Sequence, residues 1–424
     1  MEDIEYLVVG AGVTGLSFAN FVDTAPDNWL IIERENEPGG YCRTVLQDGF
    51  VWDYSGHFFH FRHPEIEQFL KDRMPGQRVE TIQKSAGILY NGHRIDFPFQ
   101  KNIHQLPKQD FLECLHDLYF RNSDRTIESF LDMVHARFGR AISEKFLVPY
   151  NEKLYACDLD RLDADAMGRF FPHADIGDII RNFTQADNSS YNATFTYPAG
   201  GAIQYVNALL HDLPDDRICY GESLQHIDID ARIATTNRRR IRYGHLVSSI
   251  PYVHLMDAAG RPWDKTQFTW NKVLVFNLGF DSKGQTVDHW QYIPDRDICF
   301  YRVGFYDNIF DTERMSLYIE IGLSSDENVG DTNQWLKQVL SDLKTLGIVN
   351  QQQLISWHSV LLDPAYVHIA STARTRVDTT RAELQPHGIH SLGRYGGWTY
   401  CAIEDNIVEA RDLAHTLGLK KPTR

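Results

Sequence analysis

The sequence predicts an α/β fold, and three observations carry that prediction. The apolar run Tyr6 to Val9 reads as a buried parallel strand. The segment Gly10-Ala11-Gly12-Val13-Thr14-Gly15 follows at once and opens the helical stretch LSFANFVD. A second apolar run, Trp29 to Ile32, then ends on the acidic Glu33. Strand, glycine turn, helix and strand in that order form a βαβ unit of the Rossmann type.

Each residue of the turn has a physical reason. Gly10 permits the tight turn, Gly12 lets backbone approach a pyrophosphate, and Gly15 lets the helix pack on the strand. Val13 and Thr14 open the helix, whose N-terminal N–H groups and positive dipole end suit phosphate. Glu33 stands at the right distance to accept hydrogen bonds from a ribose hydroxyl pair, with Arg34 beside it. An acid there disfavours a 2′-phosphate, which argues against NADP in this first site.

The rest of the chain reads in order. Residues 100–190 look mainly helical, with caps expected at Asp124 and Asp163. From about 220 to 325 the period shortens, and KVLVFNLGF and SLYIEIGL read as strands. The run Arg238-Arg239-Arg240 reads as an exposed hairpin rather than an anion site. EDNIVEARDLAHTLG reads as an amphipathic helix that returns to the nucleotide-binding sheet, making that domain discontinuous.

Bulk properties narrow the function classes. At 424 residues the chain exceeds one small core, and 43% hydrophobic with 23% charged residues is ordinary for a globular protein. A net charge of −15 argues against a nucleic-acid binder. The six cysteines lie far apart with no CxxC pair, so neither zinc nor a disulfide framework is expected. The start MEDIEYLVVG carries acids where a secretory signal has basic residues, and no run approaches a membrane span. A soluble, cytoplasmic protein without a membrane partner is the expectation, and an oligomer is compatible with it.

Directly after the acid comes Pro38-Gly39-Gly40-Tyr41-Cys42-Arg43-Thr44. This resembles the GG-x-x-R-[ST] segment of the amine-oxidase-like flavoproteins, which wraps the FAD pyrophosphate. The resemblance implies FAD, with Gly39, Gly40 and Tyr41 offering backbone and Arg43 a charge-assisted contact. Further along, the chain resembles the UDP-galactopyranose mutases, their eukaryotic-type branch in particular. FVWDYSGHFFHF looks like the family's D-x-G-G-H-x-x-F segment, placing Gly56 and His57 against the flavin, with Ser55 in place of the first glycine. RIDFPFQKNIHQLP is close to a base-contacting stretch and implicates Phe97 and Gln100. PYNEKLYAC resembles PYN-x-K-x-W, implicating Asn151 and giving Tyr155 the place of a tryptophan that stacks on the base. That departure leaves uridine and thymidine nucleotides both open.

MGRFFP implicates Arg169, and SYNATFTYPAGGAIQYVNAL implicates Asn192. Tyr292, Arg302 and Tyr366 match residues that grip a diphosphate. In LGRYGGWTY, Gly393, Arg394 and Tyr400 match a signature touching both flavin and diphosphate. Arginine gives planar bidentate contact, and tyrosine gives short donors on rings with few torsions to freeze.

The resemblance implies a Rossmann-like FAD-binding domain, a helical substrate domain and an antiparallel sheet domain. Residues 1–70, 199–262 and 386–424 make the first, 100–198 the second, and 71–99 with 263–385 the third. It implies a sugar-nucleotide mutase acting on a UDP- or TDP-hexose, with His57, Arg302 and Arg394 at the reacting centre. Reduced-flavin N5 would attack the anomeric carbon, and the pyranose would reclose as furanose, with NADPH as a possible reductant. The alternative is an FAD oxidoreductase of the amine-oxidase or protoporphyrinogen-oxidase type, which shares the N-terminal motifs but has no need of the arginine and tyrosine set.

Overall fold

The computed structural model describes residues 1–22, 28–124, 126–187 and 193–419. Its first sheet grows from the βαβ unit. The strand Glu2–Val9 lies between Trp29–Glu33 and Arg240–Ser248, parallel to both. Ile218–Tyr220 extends one side, again parallel. On the other side Arg240–Ser248 is shared between two partners. Its first half pairs antiparallel with Ile233–Thr236, which Leu224–Asp228 then joins, and its second half pairs parallel with Ile389–Ser391.

The central strands are continuous apolar runs because both faces are covered. Tyr6 and Val8 join a cluster with the helices Val13–Phe21, Ile203–Leu210 and Ile403–Thr416. Leu7 and Val9 point the other way, into the larger core shared with the rest of the chain. Arg238 and Arg239 lie in the turn of the hairpin between Ile233–Thr236 and Arg240–Ser248. Arg239 donates to Glu2 and to the fully buried Glu222, so this arginine braces the sheet edge.

The second sheet runs in the order 354–362, 271–280, 316–324, 302–305, 290–292, 86–90, 93–96. All its pairings are antiparallel except Trp290–Tyr292 with Ala86–Tyr90, which is parallel. The exception corrects the all-antiparallel expectation. The hairpin of residues 86–96 comes from a distant part of the chain, so no tight turn dictates its direction.

Helices Lys108–Tyr119, Phe130–Ile142, Val148–Tyr155 and Ile176–Asn182 occupy the expected helical region. Their caps differ from expectation. Ser129 caps the second helix by accepting from the Asp132 N–H at 3.1 Å while its hydroxyl donates to the Asp132 carboxylate. Asp124 lies upstream of that helix, and Asp163 holds a turn by accepting from the Asp165 N–H at 2.8 Å.

Candidate functional site

A cavity of about 1070 Å³ runs from the glycine turn, past residues 54–58, to a cluster of arginines and tyrosines. That exceeds the usual range for one small ligand, roughly 300–1,000 Å³, and leaves room for a dinucleotide and a second molecule.

The first end is built from backbone. Gly10 has φ +105°, which a residue with a Cβ rarely adopts. A Cβ on Gly15 would lie 2.0 Å from the Gly10 carbonyl oxygen, so this residue sets the approach of helix to turn. At Gly12 a Cβ would meet nothing within 4 Å, because Gly12 faces the cavity. The helix Val13–Phe21 starts there with no side chain capping it. An open glycine cradle at an uncapped helix N-terminus fits a dinucleotide pyrophosphate.

Around this cradle, Glu33 accepts from the Ala11 N–H at 2.7 Å and the Glu35 N–H at 2.9 Å, bracing the turn while lining the cavity. Arg34 lines the cavity and lies 3.2 Å from Glu35. Arg43 donates to the carbonyls of Glu37 and Pro38, at 2.6 and 3.1 Å, and so fixes the turn containing Gly39 and Gly40. The Tyr41 hydroxyl accepts from the Asp363 N–H at 3.0 Å. Gly393 lies behind the lining, where a Cβ would be 2.4 Å from the Thr14 hydroxyl oxygen.

The middle of the cavity is residues 54–58. Gly56 and His57 both line it, and His57 Nδ1 is 3.1 Å from the Ser55 carbonyl oxygen. Burial, only partly offset by that carbonyl, pushes the His57 imidazole down to about 4, so it is neutral at pH 7. Behind this segment Asp53 is fully buried. Its carboxylate accepts from the Thr44 and Tyr197 hydroxyls and the Ala202 N–H, at 2.6, 2.7 and 2.9 Å. Burial outweighs those three donors and raises the Asp53 carboxyl to about 6.

The second end is built from side chains on adjacent strands. Sheet register places Tyr292, Arg302 and Glu320 in one row across three strands. Arg302 Nε and Nη2 both lie 2.6 Å from Glu320 Oε2, and Glu320 is 0% exposed. Burial, the largest single influence, works against the Arg302 charge, but the Glu320 carboxylate and the surrounding tyrosines together hold the guanidinium well above its ordinary value. Arg394 differs: it has no carboxylate partner among the described residues. One of its nitrogens donates to the Cys401 carbonyl at 3.2 Å, and its guanidinium lies 5.1 and 4.7 Å from the ring centroids of Tyr366 and Tyr400. Those rings stack with centroids 5.9 Å apart. Tyr292 accepts from Trp290 Nε1 at 2.8 Å and packs on Phe97.

Phe97, Asn151, Arg169, Tyr292, Arg302, Tyr366, Arg394 and Tyr400 all line the cavity. Asn151 donates to the Leu147 carbonyl at 2.7 Å, and its buried amide oxygen has no partner among the described residues. Arg169 sits at the rim, 41% exposed and bound to Asp405 at 2.7 Å. Two expected base contacts are absent from the lining. Gln100 is fully buried and donates to the Pro172 carbonyl, and Tyr155 is 2% exposed beneath Tyr366 and His368. Both rest in the packed layer behind the wall, because the helix and turn carrying them turn those side chains inward. Asn192 lies outside the described residues.

The sequence reading missed Glu320, Tyr150, Tyr318 and His60. Tyr150, Tyr318 and His60 line the cavity, and Glu320 lies directly behind Arg302. A signal for Glu320 was present: one acid in the otherwise apolar strand SLYIEIGL, where a buried carboxylate demands a partner.

Comparison with known proteins agrees with this geometry. Residues 8–73 match the NAD(P)-binding Rossmann-like domain model. The chain is 21% identical over 230 residues to UDP-galactopyranose mutase of Mycoplasma pneumoniae, covering 50% of this chain and 54% of that protein. It is 26% identical over 189 residues to protoporphyrinogen oxidase 2 of Arabidopsis thaliana, covering 42% and 36%. It thus spans about half or less of the length of these curated relatives. The solved structure of reduced UDP-galactopyranose mutase superposes with a TM-score of 0.89 at 24% identity, covering 98% of this chain and 96% of that one. FAD is the cofactor this group supports, and no helix among the described residues is long and apolar enough to cross a membrane. The chain has the fold of the amine-oxidase-like FAD superfamily, and within it resembles UDP-galactopyranose mutase over nearly its whole length.

Proposed function

We propose that the protein is a flavin-dependent mutase interconverting pyranose and furanose forms of a nucleotide sugar, a UDP- or TDP-hexose. One observation carries the reading: two arginines and three tyrosines line the same cavity as the glycine cradle, Tyr292 beside Arg302 and both Tyr366 and Tyr400 against Arg394. An oxidase substrate without phosphates has no use for that set. Gly10, Gly12, Val13, Thr14, Gly39, Gly40 and Arg43 would hold FAD, with His57 and Gly56 beside its ring. Reduced flavin, when bound, supplies a nucleophile for the anomeric carbon. Arg394 and Arg302 then hold the departing diphosphate, and Tyr292, Tyr366 and Tyr400 donate to its oxygens. Their rings keep water from the reacting sugar. Neutral His57 adds no competing cation there. The sheet-borne side chains belong to a sheet/substrate unit and the glycine cradle to a discontinuous cofactor unit.

A second reading, an FAD oxidoreductase, is favoured by the likeness to the Arabidopsis protoporphyrinogen oxidase. One experiment separates them. Dithionite-reduced protein is incubated with UDP- and TDP-hexopyranoses, and products are resolved by chromatography. The mutase forms furanose without stoichiometric loss of reductant, NADPH serving only to prime it in the cytoplasm. In a parallel aerated reaction with NADPH in place of dithionite, hydrogen peroxide or NADP⁺ formed in step with product would establish the oxidoreductase instead.

A further inference from the structure

The two arginines at the anion end are not equivalent, and the cause of the difference lies behind the cavity wall. Arg302 spends two of its five N–H groups on one oxygen of Glu320, at 2.6 Å each. The other carboxylate oxygen of Glu320 accepts the Ser55 hydroxyl. Ser55 stands where the resembling motif has glycine, so this contact is a property of this chain. Glu320 is fully buried and sits directly across the strand pair from Arg302, so register fixes its aim. Burial alone would raise its carboxyl, but Arg302, foremost among its polar partners, more than offsets this and keeps it ionised. The Ser55 carbonyl faces His57 Nδ1 at 3.1 Å and the Tyr306 hydroxyl at 3.4 Å. A hydrogen-bonded path therefore connects the anion-binding arginine to the segment beside the cofactor site.

We infer that Glu320 is a positioning residue and electrostatic counterweight: it aims the remaining N–H groups of Arg302 into the cavity and weakens that arginine's hold on a diphosphate. The inference rests on the proposed nucleotide-sugar reading. Its chemical sense is release. A site that parts sugar from nucleoside diphosphate and rejoins them must hold the dianion without trapping it. Arg394, with no carboxylate partner among the described residues, supplies the strong hold, and the Arg302–Glu320 pair supplies a weak, well-aimed one.

The test uses flavin-loaded protein, with UDP and inorganic pyrophosphate as probes in calorimetric titrations. Glu320→Gln keeps an acceptor for Arg302 but removes the charge. It should bind both probes about tenfold more tightly, the order expected for a unit charge acting over roughly 7–10 Å at a protein's effective dielectric. In turnover the same variant should show KM and kcat falling together, as product leaves more slowly. A purely structural role would not tighten binding. Arg302→Lys compared with the double variant Arg302→Lys/Glu320→Gln gives an independent answer that does not require the single glutamate variant to fold. The double variant should bind UDP at least about tenfold more tightly than Arg302→Lys, because the lysine keeps Glu320 ionised in the single variant and no carboxylate offsets its charge in the double one. Equal or weaker binding by Glu320→Gln, or equal binding by the two Arg302 variants, overturns the counterweight alone. Failure of wild type and variants to bind either probe removes the proposed function and the counterweight together.

Discussion

On the proposed reading, the two ends of the cavity solve the same problem, holding a diphosphate, with different materials. At the glycine turn the chain presents backbone N–H groups and a helix dipole and relies on missing side chains, with Arg43 fixing the turn that holds Gly39 and Gly40. At the far end it presents arginine and tyrosine side chains mounted on strands and on the loop of residues 393–401. The first arrangement suits a ligand that stays, since backbone geometry is fixed and cannot be tuned. The second suits one that comes and goes, since charge can be adjusted residue by residue, as Glu320 adjusts Arg302.

The strongest test of this contrast is at Gly15. Gly15→Ala sets a methyl 2.0 Å from a backbone oxygen that cannot move without the turn. It should cost about 3 kcal/mol or more and empty the flavin site, measured by thermal melting and by flavin recovered per mole of protein. Gly12→Ala meets no protein atom within 4 Å. The apo-protein should melt like wild type while FAD binds more weakly. Equal melting losses for the two would show that Gly12 is only a packing residue.

Asp53 lies between the two ends. Its folded-state carboxyl is raised to about 6, above the ordinary value of 3.8, so the folded chain binds its proton more tightly. This contribution to stability is full below pH about 4 and is lost as pH rises through about 6, a change of about 3 kcal/mol. Asp53→Asn should therefore gain on wild type between pH 4 and 6.5 in urea titrations. A constant difference across that range would mean that Asp53 stays ionised throughout.

A smaller effect is expected at Arg394. Removing its guanidinium in Arg394→Ala should weaken UDP and TDP alike, by roughly 10- to 100-fold per lost charge-assisted contact. The flavin content is measured alongside, and unchanged UDP affinity would place the anion elsewhere. The smallest effect belongs to Tyr155. Its hydroxyl is buried without a hydrogen-bond partner among the described residues, and its ring does not line the cavity. Tyr155→Phe should change stability by less than about 1 kcal/mol and leave the UDP-to-TDP preference unaltered. A changed base preference would restore it to the site.

The same contrast explains what the sequence disclosed. The glycine end is local: strand, turn, helix and acid fall within about thirty residues, each with a reason visible in the letters. At the far end Tyr292, Arg302, Tyr366, Arg394 and Tyr400 were legible only as an ordered resemblance, since nothing local distinguishes a ligand tyrosine from a core one. Glu320 escaped because its meaning is a cross-strand register, which no single segment encodes. Tyr155 and Gln100 were misplaced because motif position does not say which way a side chain faces once helix and turn have packed.

The shared strand Arg240–Ser248 has a consequence for biosynthesis. Its second half is completed by Ile389–Ser391, and Thr14 at the glycine turn donates to Asn406, 392 residues away, at 3.0 Å. A nascent chain emerging N-terminus first therefore displays its glycine turn long before the residues that buttress it exist. Until residues 389–406 have been synthesised, that edge stays unpaired and the cradle has no firm floor. Firm capture of the proposed cofactor is thereby deferred until residues 389–406 have been made, and a chain broken off before them lacks that buttress.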